Sequence, residues 1–306
     1  MDTDSLRWFQ QVADGVTMSE LSQLEFITQS GISRALTRLE TEVGTPLLHR
    51  AGRNLRMTVA GSAFKRHVDA LLNQLDDGLS AVNQLVDPET GLVTIASLLS
   101  LGTWLLPNLL SSFRADHPEV DFEIRQVHEE LPTSDLQNGR LDLEITTIRP
   151  ADRTVQWHSL MVEPLWLAVP IGHRLGTRKQ VHLTEVAADT FIMLRPPSLL
   201  RSQAERLCRR AGFEPAVSFE GEDLPTLRGF VIAGLGVAVV PALHDGSPDA
   251  LTGAIHHLRI VDQGATREIG LGWSAERRIL PSAELFRRHI IARADAGTLP
   301  ALAAPG

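Results

Sequence analysis

Residues 28–40 read Thr-Gln-Ser-Gly-Ile-Ser-Arg-Ala-Leu-Thr-Arg-Leu-Glu, and their spacing sets the reading of the chain. Ile32, Ala35, Leu36 and Leu39 recur at helical intervals, so one face is apolar. Ser30, Ser33, Arg34, Thr37 and Arg38 fall on the other faces. Thr28 is an N-cap residue type, because its hydroxyl can accept a hydrogen bond from an orphan amide of the first turn. Just upstream, Thr17-Met18-Ser19-Glu20 has capping-box form and predicts a shorter helix that buries Met18, Leu21 and Leu24. Phe26-Ile27 is left for a tight turn. Two short helices, a brief turn, and small polar plus Arg side chains leading the second helix suit a helix-turn-helix. The B-DNA major groove, about 12 Å wide, admits one helix, led by its N-terminal end. Taken alone, the same window reads as an amphipathic helix with a solvated polar face.

The next segment shifts that balance. Residues 49–58 place Arg50, Arg53 and Arg56 around the turn signal Gly52-Arg53-Asn54, with alternation toward Leu55 and Met57. This predicts a β-ribbon wing whose guanidinium groups suit phosphates or a narrow minor groove. Between Thr28 and Arg66 stand seven basic residues against two acidic ones, inside a chain of net charge −8. A basic patch on an acidic chain points to a polyanion partner confined to the N-terminal region.

These residues carry a family resemblance. Leu6-Arg7-Trp8-Phe9-Gln10-Gln11-Val12-Ala13-Asp14, residues 28–50 and residues 53–61 resemble the winged helix-turn-helix of LysR-type transcriptional regulators. The Thr28-to-Ser33 stretch resembles the family's recognition start with several changes, and Leu21-Ser22 stands where the family usually has two alanines. The DNA-facing set is then Thr28, Gln29, Ser30, Ser33, Arg34, Arg38, Arg50 and Arg53. Ser33 and Arg34 are the candidates for base edges, Arg50 and Arg53 for backbone or minor groove.

With 306 residues, 43% hydrophobic and 22% charged, the composition is that of a soluble globular protein of two or three domains. Residues 1–27 lack a secretory pattern, and no apolar run approaches the roughly 20 residues needed to cross a bilayer. A cytoplasmic location is the default expectation. Cys208 is the only cysteine, which excludes an intrachain disulfide and a cysteine-rich zinc site.

From Thr58, an N-cap type, a helical pattern runs to Val86 and stops at Asp87-Pro88. Phe64, Val68, Leu71, Leu75, Gly78, Val82 and Leu85 alternate spacings of four and three, a heptad seam flanked by Leu72, Leu79 and Val86. The bland alternative is a helix packed on its own domain. A seam plus a stripe is more apolar surface than one helix hides, so a dimerising linker is expected, with Phe64, Val68, Leu71, Leu75, Val82 and Leu85 at the contact. A dimer would present two recognition helices to two half-sites.

Beyond Gly91, strands and helices alternate. Strands are expected at 92–97, 120–127, 141–147, 158–162, 165–169, 191–194, 216–220, 237–240, 255–260 and 268–273. Helices are expected at 104–113, 133–138, 199–211, 224–233 and 283–294. Such alternation implies parallel sheets covered on both faces. The fold expected is therefore a winged helix-turn-helix over 1–58, a linker helix over 59–90, and an α/β effector domain over 91–294. That domain divides into two Rossmann-like subdomains, one from 91–163 and 268–294, the other from 164–267. It resembles the periplasmic-binding-protein-like domain of LysR-type regulators through Gly91-Leu92-Val93-Thr94-Ile95-Ala96, residues 105–113, Asp116-His117-Pro118-Glu119-Val120, residues 138–145, Ala211-Gly212-Phe213-Glu214-Pro215 and residues 231–241. Residues 295–306 read as a loose tail.

In such sheets ligands sit at the carboxyl ends of strands, against helix N-termini. Ser97, Leu98, Ser100 and Thr103 lie on the loop from the first strand, Ser100 and Thr103 where the resemblance places effector contacts. Thr147 ends another strand, and Arg195 and Ser198 hold the matching place in the second subdomain. Arg195 suits a carboxylate, or equally a surface ion pair. Leu98, Leu99 and Trp104 make much of the lining apolar, and Leu98 stands where the family often has a polar side chain, which points to an effector larger or less polar than a simple amino acid, or to none. Gly234-Leu235-Gly236 precedes a strand and is a helix-to-strand turn rather than a nucleotide fingerprint. His256 and His257 are adjacent, so in a strand they face opposite sides and share no metal. The other histidines show no ligand spacing, and no nucleophile elbow or P-loop is present. No catalytic residue, metal or cofactor is expected.

The function expected is a sequence-specific DNA-binding transcriptional regulator modulated by a small-molecule effector. Its partners would be promoter DNA, a second copy or a tetramer of this chain, the effector, and RNA polymerase if it activates, with no membrane. The alternatives are a small-molecule binding protein with a degenerate DNA domain, and a DNA-binding domain fused to an enzyme.

Overall fold

The computed structural model describes residues 2–51, 54–86, 89–128, 131–244 and 255–302, leaving aside the side chains of 51, 54, 80–81 and 83–86. Arg53 and the side chain of Leu85 therefore lie outside the described residues. Two compact units form, residues 1–85 with 138–140 and residues 86–137 with 141–306.

The first unit is built from α1 (Thr3–Ala13), α2 (Met18–Leu24), α3 (Gln29–Val43), the hairpin β1 (Leu48–Ala51) with β2 (Asn54–Met57), and α4 (Val59–Val86). Its local signals act as their chemistry dictates. Asp2 caps α1, Thr17 and Glu20 form a reciprocal capping box on α2, and Thr28 caps α3. Gly44, at φ 81°, ends α3 in the left-handed conformation that glycine tolerates without steric cost. Phe9, Leu21, Ile32, Leu36, Leu39 and Leu47 make the core, each fully buried side chain contributing about 1.5–3 kcal/mol. The backbone of α4 comes so close to that core that a Cβ on Gly61 would lie 2.0 Å from the Leu47 carbonyl oxygen. Two expectations change here. Leu24, expected inside, is exposed, because α2 ends within a turn of it. Val68 and Leu72 are buried in this core and Phe64 packs on it, 5.7 Å from the Phe9 ring. Phe64 and Val68 thus turn toward α1 and leave the seam, while Leu71, Leu75, Leu79 and Val82 are exposed.

The second unit contains β3 (Gly91–Leu98), α5 (Leu105–Asp116), β4 (Val120–Val127), α6 (Ser134–Gln137), β5 (Leu143–Thr146), β6 (Val155–Pro170), β7 (Gln180–Val181), β8 (Thr190–Leu194), α7 (Leu199–Arg210), β9 (Ala216–Gly221), α8 (Leu224–Ile232), β10 (Ala238–Pro241), β11 (Ile255–Ile260), β12 (Thr266–Ser274) and α9 (Pro281–Asp295). The sheet runs β4-β3-β5-β12-β6-β11-β7, with β10 also on β6; β8 and β9 pair separately. Parallel pairing, expected throughout, is found among the described strands for β3 with β4 and β5, β7 with β11, and β8 with β9, with one further parallel bridge between Phe191 and Val237. The partners of β6 are all antiparallel, as is β5 with β12.

The two strands expected at 158–162 and 165–169 are one. Pro164 fixes a φ that extended backbone accepts, and its carbonyl still accepts from the Ala242 amide at 3.1 Å. At Pro164 the strand changes partner, from β12 over 155–164 to β10 and β11 over 165–170. One apolar core gathers around Phe113, Ile145, Leu271 and Phe286, another around Leu167, Phe191, Val231 and Val240, and β6 runs through both. Residues 295–302 are pinned rather than loose: Leu299 packs on the first core and Leu302 bridges to His244. Among the described residues no helix is long and apolar enough to cross a membrane.

Candidate functional site

On the first unit, α3 buries Ile32, Leu36 and Leu39 and leaves Thr28, Gln29, Ser30, Ser33, Arg34 and Arg38 exposed. Thr28 Oγ1 accepts from the Gly31 amide at 3.2 Å, and Arg34 Nε donates to the Ser30 carbonyl at 3.2 Å. Arg38 is paired with Glu42 at 3.1 Å. Arg50 and Arg56 are exposed on the hairpin, whose base is held by Glu40 Oε1 accepting from the Leu47 and Leu48 amides. Lys65 leaves the basic patch: it is buried between Asp14 at 2.9 Å and Asp69 at 2.8 Å. Its charge there holds α1 to α4.

The second unit has a cavity of about 160 Å³ lined from β3, the N-cap of α5, α7, α8, the end of β10 and β12. Of the residues expected to bind an effector, Leu98, Ser100, Thr103 and Ser198 line it. Ser97, Thr147 and Arg195 do not. Ser97 is buried and donates to the Leu98 carbonyl, Thr147 lies beyond β5, and Arg195 is an exposed partner of Glu222 at 2.8 Å. Three helix N-termini meet at the cavity: α5 through Thr103 and Trp104, α7 through Ser198, and α8 through Asp223 and Pro225. Ser198 and Asp223 cap their own helices, whereas α5 has no side-chain cap.

Behind the wall, Glu163 is fully buried and joins β6 to two lining residues. His244 Nε2 lies 2.6 Å from Glu163 Oε1, and Arg267 Nε donates to Glu163 Oε2. Burial alone would raise the Glu163 carboxyl. The Arg267 charge and the hydrogen bonds from His244 and Arg267 outweigh it and hold the group below the usual carboxylate range. The network continues on both sides. Arg267 Nη1 donates to Ser100 Oγ at 3.0 Å, and His244 stacks on Trp104 with ring centroids 3.5 Å apart and planes 4° from parallel. Arg267 Nη2 is buried with no hydrogen-bond partner among the described residues. A second buried guanidinium, Arg228, also lines the cavity; burial pushes it down to about 10, opposed by the Glu163 charge, so it stays protonated at neutral pH. Burial and the Arg228 charge push neighbouring His257 down to about 4, so it is neutral there.

The key polar residues were not legible as a site. Glu163, His244 and Arg267 are 81 and 104 positions apart, and no local spacing links them. Arg228 did leave a signal, since it interrupts the otherwise apolar pattern Leu227, Phe230, Val231.

Two family models match the chain, the bacterial regulatory helix-turn-helix protein of the lysR family over residues 3–62 and the LysR substrate binding domain over residues 87–295. The regulator YybE of Bacillus subtilis is 32% identical over 291 residues, covering 95% of this chain and 98% of its own. The chain belongs to the LysR family. GltC of Bacillus subtilis, a transcriptional dual regulator, is likewise 32% identical, over 95% of this chain and 97% of its own. The fold is that of a full-length OxyR variant from Pseudomonas aeruginosa (TM-score 0.73, 19% identity, 95% of this chain and 98% of that one). It is also that of CbnR in complex with its target DNA (TM-score 0.71, 22% identity, 96% and 100%). This LysR-family chain is thus a DNA-binding transcriptional regulator with a C-terminal effector domain. Its cysteine, Cys208, is buried, and burial pushes its thiol up to about 12, far from the thiolate that redox chemistry needs.

Proposed function

We propose that the effector of this regulator is a small organic anion with an apolar body about the size of one ring. The observation that carries this is Arg267 Nη2, a buried donor with no hydrogen-bond partner among the described residues, on a residue that lines a mostly apolar cavity. A buried unsatisfied donor of a charged group is costly to leave unmade, and a carboxylate would satisfy it while using the uncapped N-terminus of α5. A cavity near 150 Å³ holds about one benzene-sized body. Because Ser100 and Arg267 belong to one side of the Glu163–Pro164 junction and Ser198 and Arg228 to the other, such a ligand would bind a closed arrangement more tightly than an open one. That differential affinity is what shifts promoter occupancy.

The test is a thermal-shift screen of small aromatic and aliphatic carboxylates against their amides. At a hundredfold excess over Kd a true ligand stabilises by about 2.7 kcal/mol, a rise of roughly 5–10 °C in Tm for a domain of this size. Amides equal to acids in effect would remove the anion reading.

On DNA, Ser33 and Arg34 read base edges and Arg50 grips the backbone, with Thr28, Gln29, Ser30 and Arg38 supporting them; Arg53 shares the Arg50 role. The regulator works in the cytoplasm as a homodimer or tetramer, by binding rather than catalysis, and contacts RNA polymerase where it activates. Sequencing genomic DNA pulled down at two salt concentrations supplies the operator. Arg34→Ala should then weaken operator binding by roughly fivefold to 150-fold if the contact is bidentate. Equal loss on unrelated duplexes would make Arg34 a phosphate clamp.

A further inference from the structure

Phe26 occupies the turn between α2 and α3 and is 96% exposed, more than any other large apolar residue described. Its φ of 55° makes it the only non-glycine residue with positive φ among those described. A bulky side chain there is a steric outlier, a position that Gly or Asn fills with less strain. The turn is nevertheless held firmly. The Ile27 amide donates to the Ser22 carbonyl at 3.2 Å, Ser22 Oγ donates to the Ile27 carbonyl at 2.6 Å, and Ile27 packs on the core. The ring gains no burial in its own domain and sits at a strained position, so folding does not account for it.

We infer that Phe26 is a DNA-contacting residue whose ring packs against the deoxyribose edge of the strand bordering the recognition helix. Its place argues for that occupant. Phe26 stands two residues before Thr28, the N-cap of α3, and the N-terminal end of a recognition helix is the part that approaches DNA. The residues that follow it, Thr28, Gln29 and Ser30, are exposed hydrogen-bonding groups on the same approach. An apolar ring beside them excludes water from the sugar without carrying charge or reading a base. This rests on the DNA-contact reading of α3 given above.

The test compares Phe26→Asn and Phe26→Gly with the parent chain, with Arg34→Ala and with Arg50→Ala, on the operator and on an unrelated duplex, across a salt series. Both Phe26 variants relieve the backbone strain, so Tm should hold or rise, while affinity for both duplexes falls about tenfold, the effect of losing a partly buried aromatic ring. The slope of log K against log salt should stay unchanged, since no phosphate charge is lost. Arg50→Ala should reduce that slope by about one contact. Unchanged affinity of the Phe26 variants beside weakened Arg34→Ala would overturn the inference and leave the α3 reading standing. Normal DNA binding with lost activation, or an altered oligomeric mass, would assign Phe26 to a protein partner and overturn it too. No DNA binding by the parent chain would instead remove the α3 reading itself.

Discussion

Glu163→Gln should lower the thermal midpoint of the effector domain by roughly 10 °C, the largest stability loss expected of any conservative change in this chain. Removing one partner of a buried ion pair costs about 3–5 kcal/mol, because the remaining charge stays buried without its counter-charge, and for a domain of this size each kcal/mol moves Tm by about 2–4 °C. Here Arg267 loses its counter-charge, and because glutamine keeps one acceptor oxygen where the carboxylate has two, either Arg267 or His244 faces the amide NH2 instead of an acceptor. The pH dependence gives a second readout. The folded Glu163 carboxyl lies below its unfolded value of about 4.5. Its stabilisation is therefore fully present above that value and is lost as pH falls through the folded pKa. Acid unfolding of Glu163→Gln should accordingly be flatter than that of the parent. A variant as stable as the parent, with the same acid limb, would show that the pair contributes nothing.

The second large effect is on assembly. Leu71, Leu75, Leu79 and Val82 form an exposed stripe on α4 at spacings of four, four and three. If α4 pairs through this stripe as the heptad pattern predicts, the double substitution Leu75→Asp with Leu79→Asp would put four carboxylates in the contact, and the expected result is monomers at micromolar concentration, read by light scattering. Loss of the apolar contact alone is on the order of 4–8 kcal/mol. Affinity for a dyad-symmetric operator should fall by about two orders of magnitude or more, since two linked half-site contacts become independent. The winged domain should stay folded, because neither side chain is in its core. Leu72→Asp is the contrast, one position from the stripe and 1% exposed, and it should unfold that domain. An unchanged mass for the double variant would remove α4 from the interface.

Much of this protein is written locally. Thr17 with Glu20, Thr28, Gly44 and Thr58 mark helix ends within a few residues of sequence, because an N-cap side chain bonds an amide two or three positions away and glycine alone enters the left-handed conformation without steric cost. The apolar spacing of Ile32, Leu36 and Leu39 fixes which face of α3 is inside and so which residues can meet DNA. That Ser100, Thr103 and Ser198 line one cavity was legible too, because loops after strands lie where helix N-termini gather. What the sequence alone left open was decided by distance in space. A heptad seam cannot say where one domain core ends, so the spacing puts Phe64 and Val68 at an interface, whereas they pack into the core of their own domain. The strands expected at 158–162 and 165–169 are one because the Pro164 carbonyl still accepts a hydrogen bond and the strand runs on through both cores. The polar heart of the cavity, Glu163 with His244 and Arg267, exists only because β6, β12 and the segment after β10 meet; no periodicity records a charge pair a hundred residues apart, and burial alone makes that pair matter.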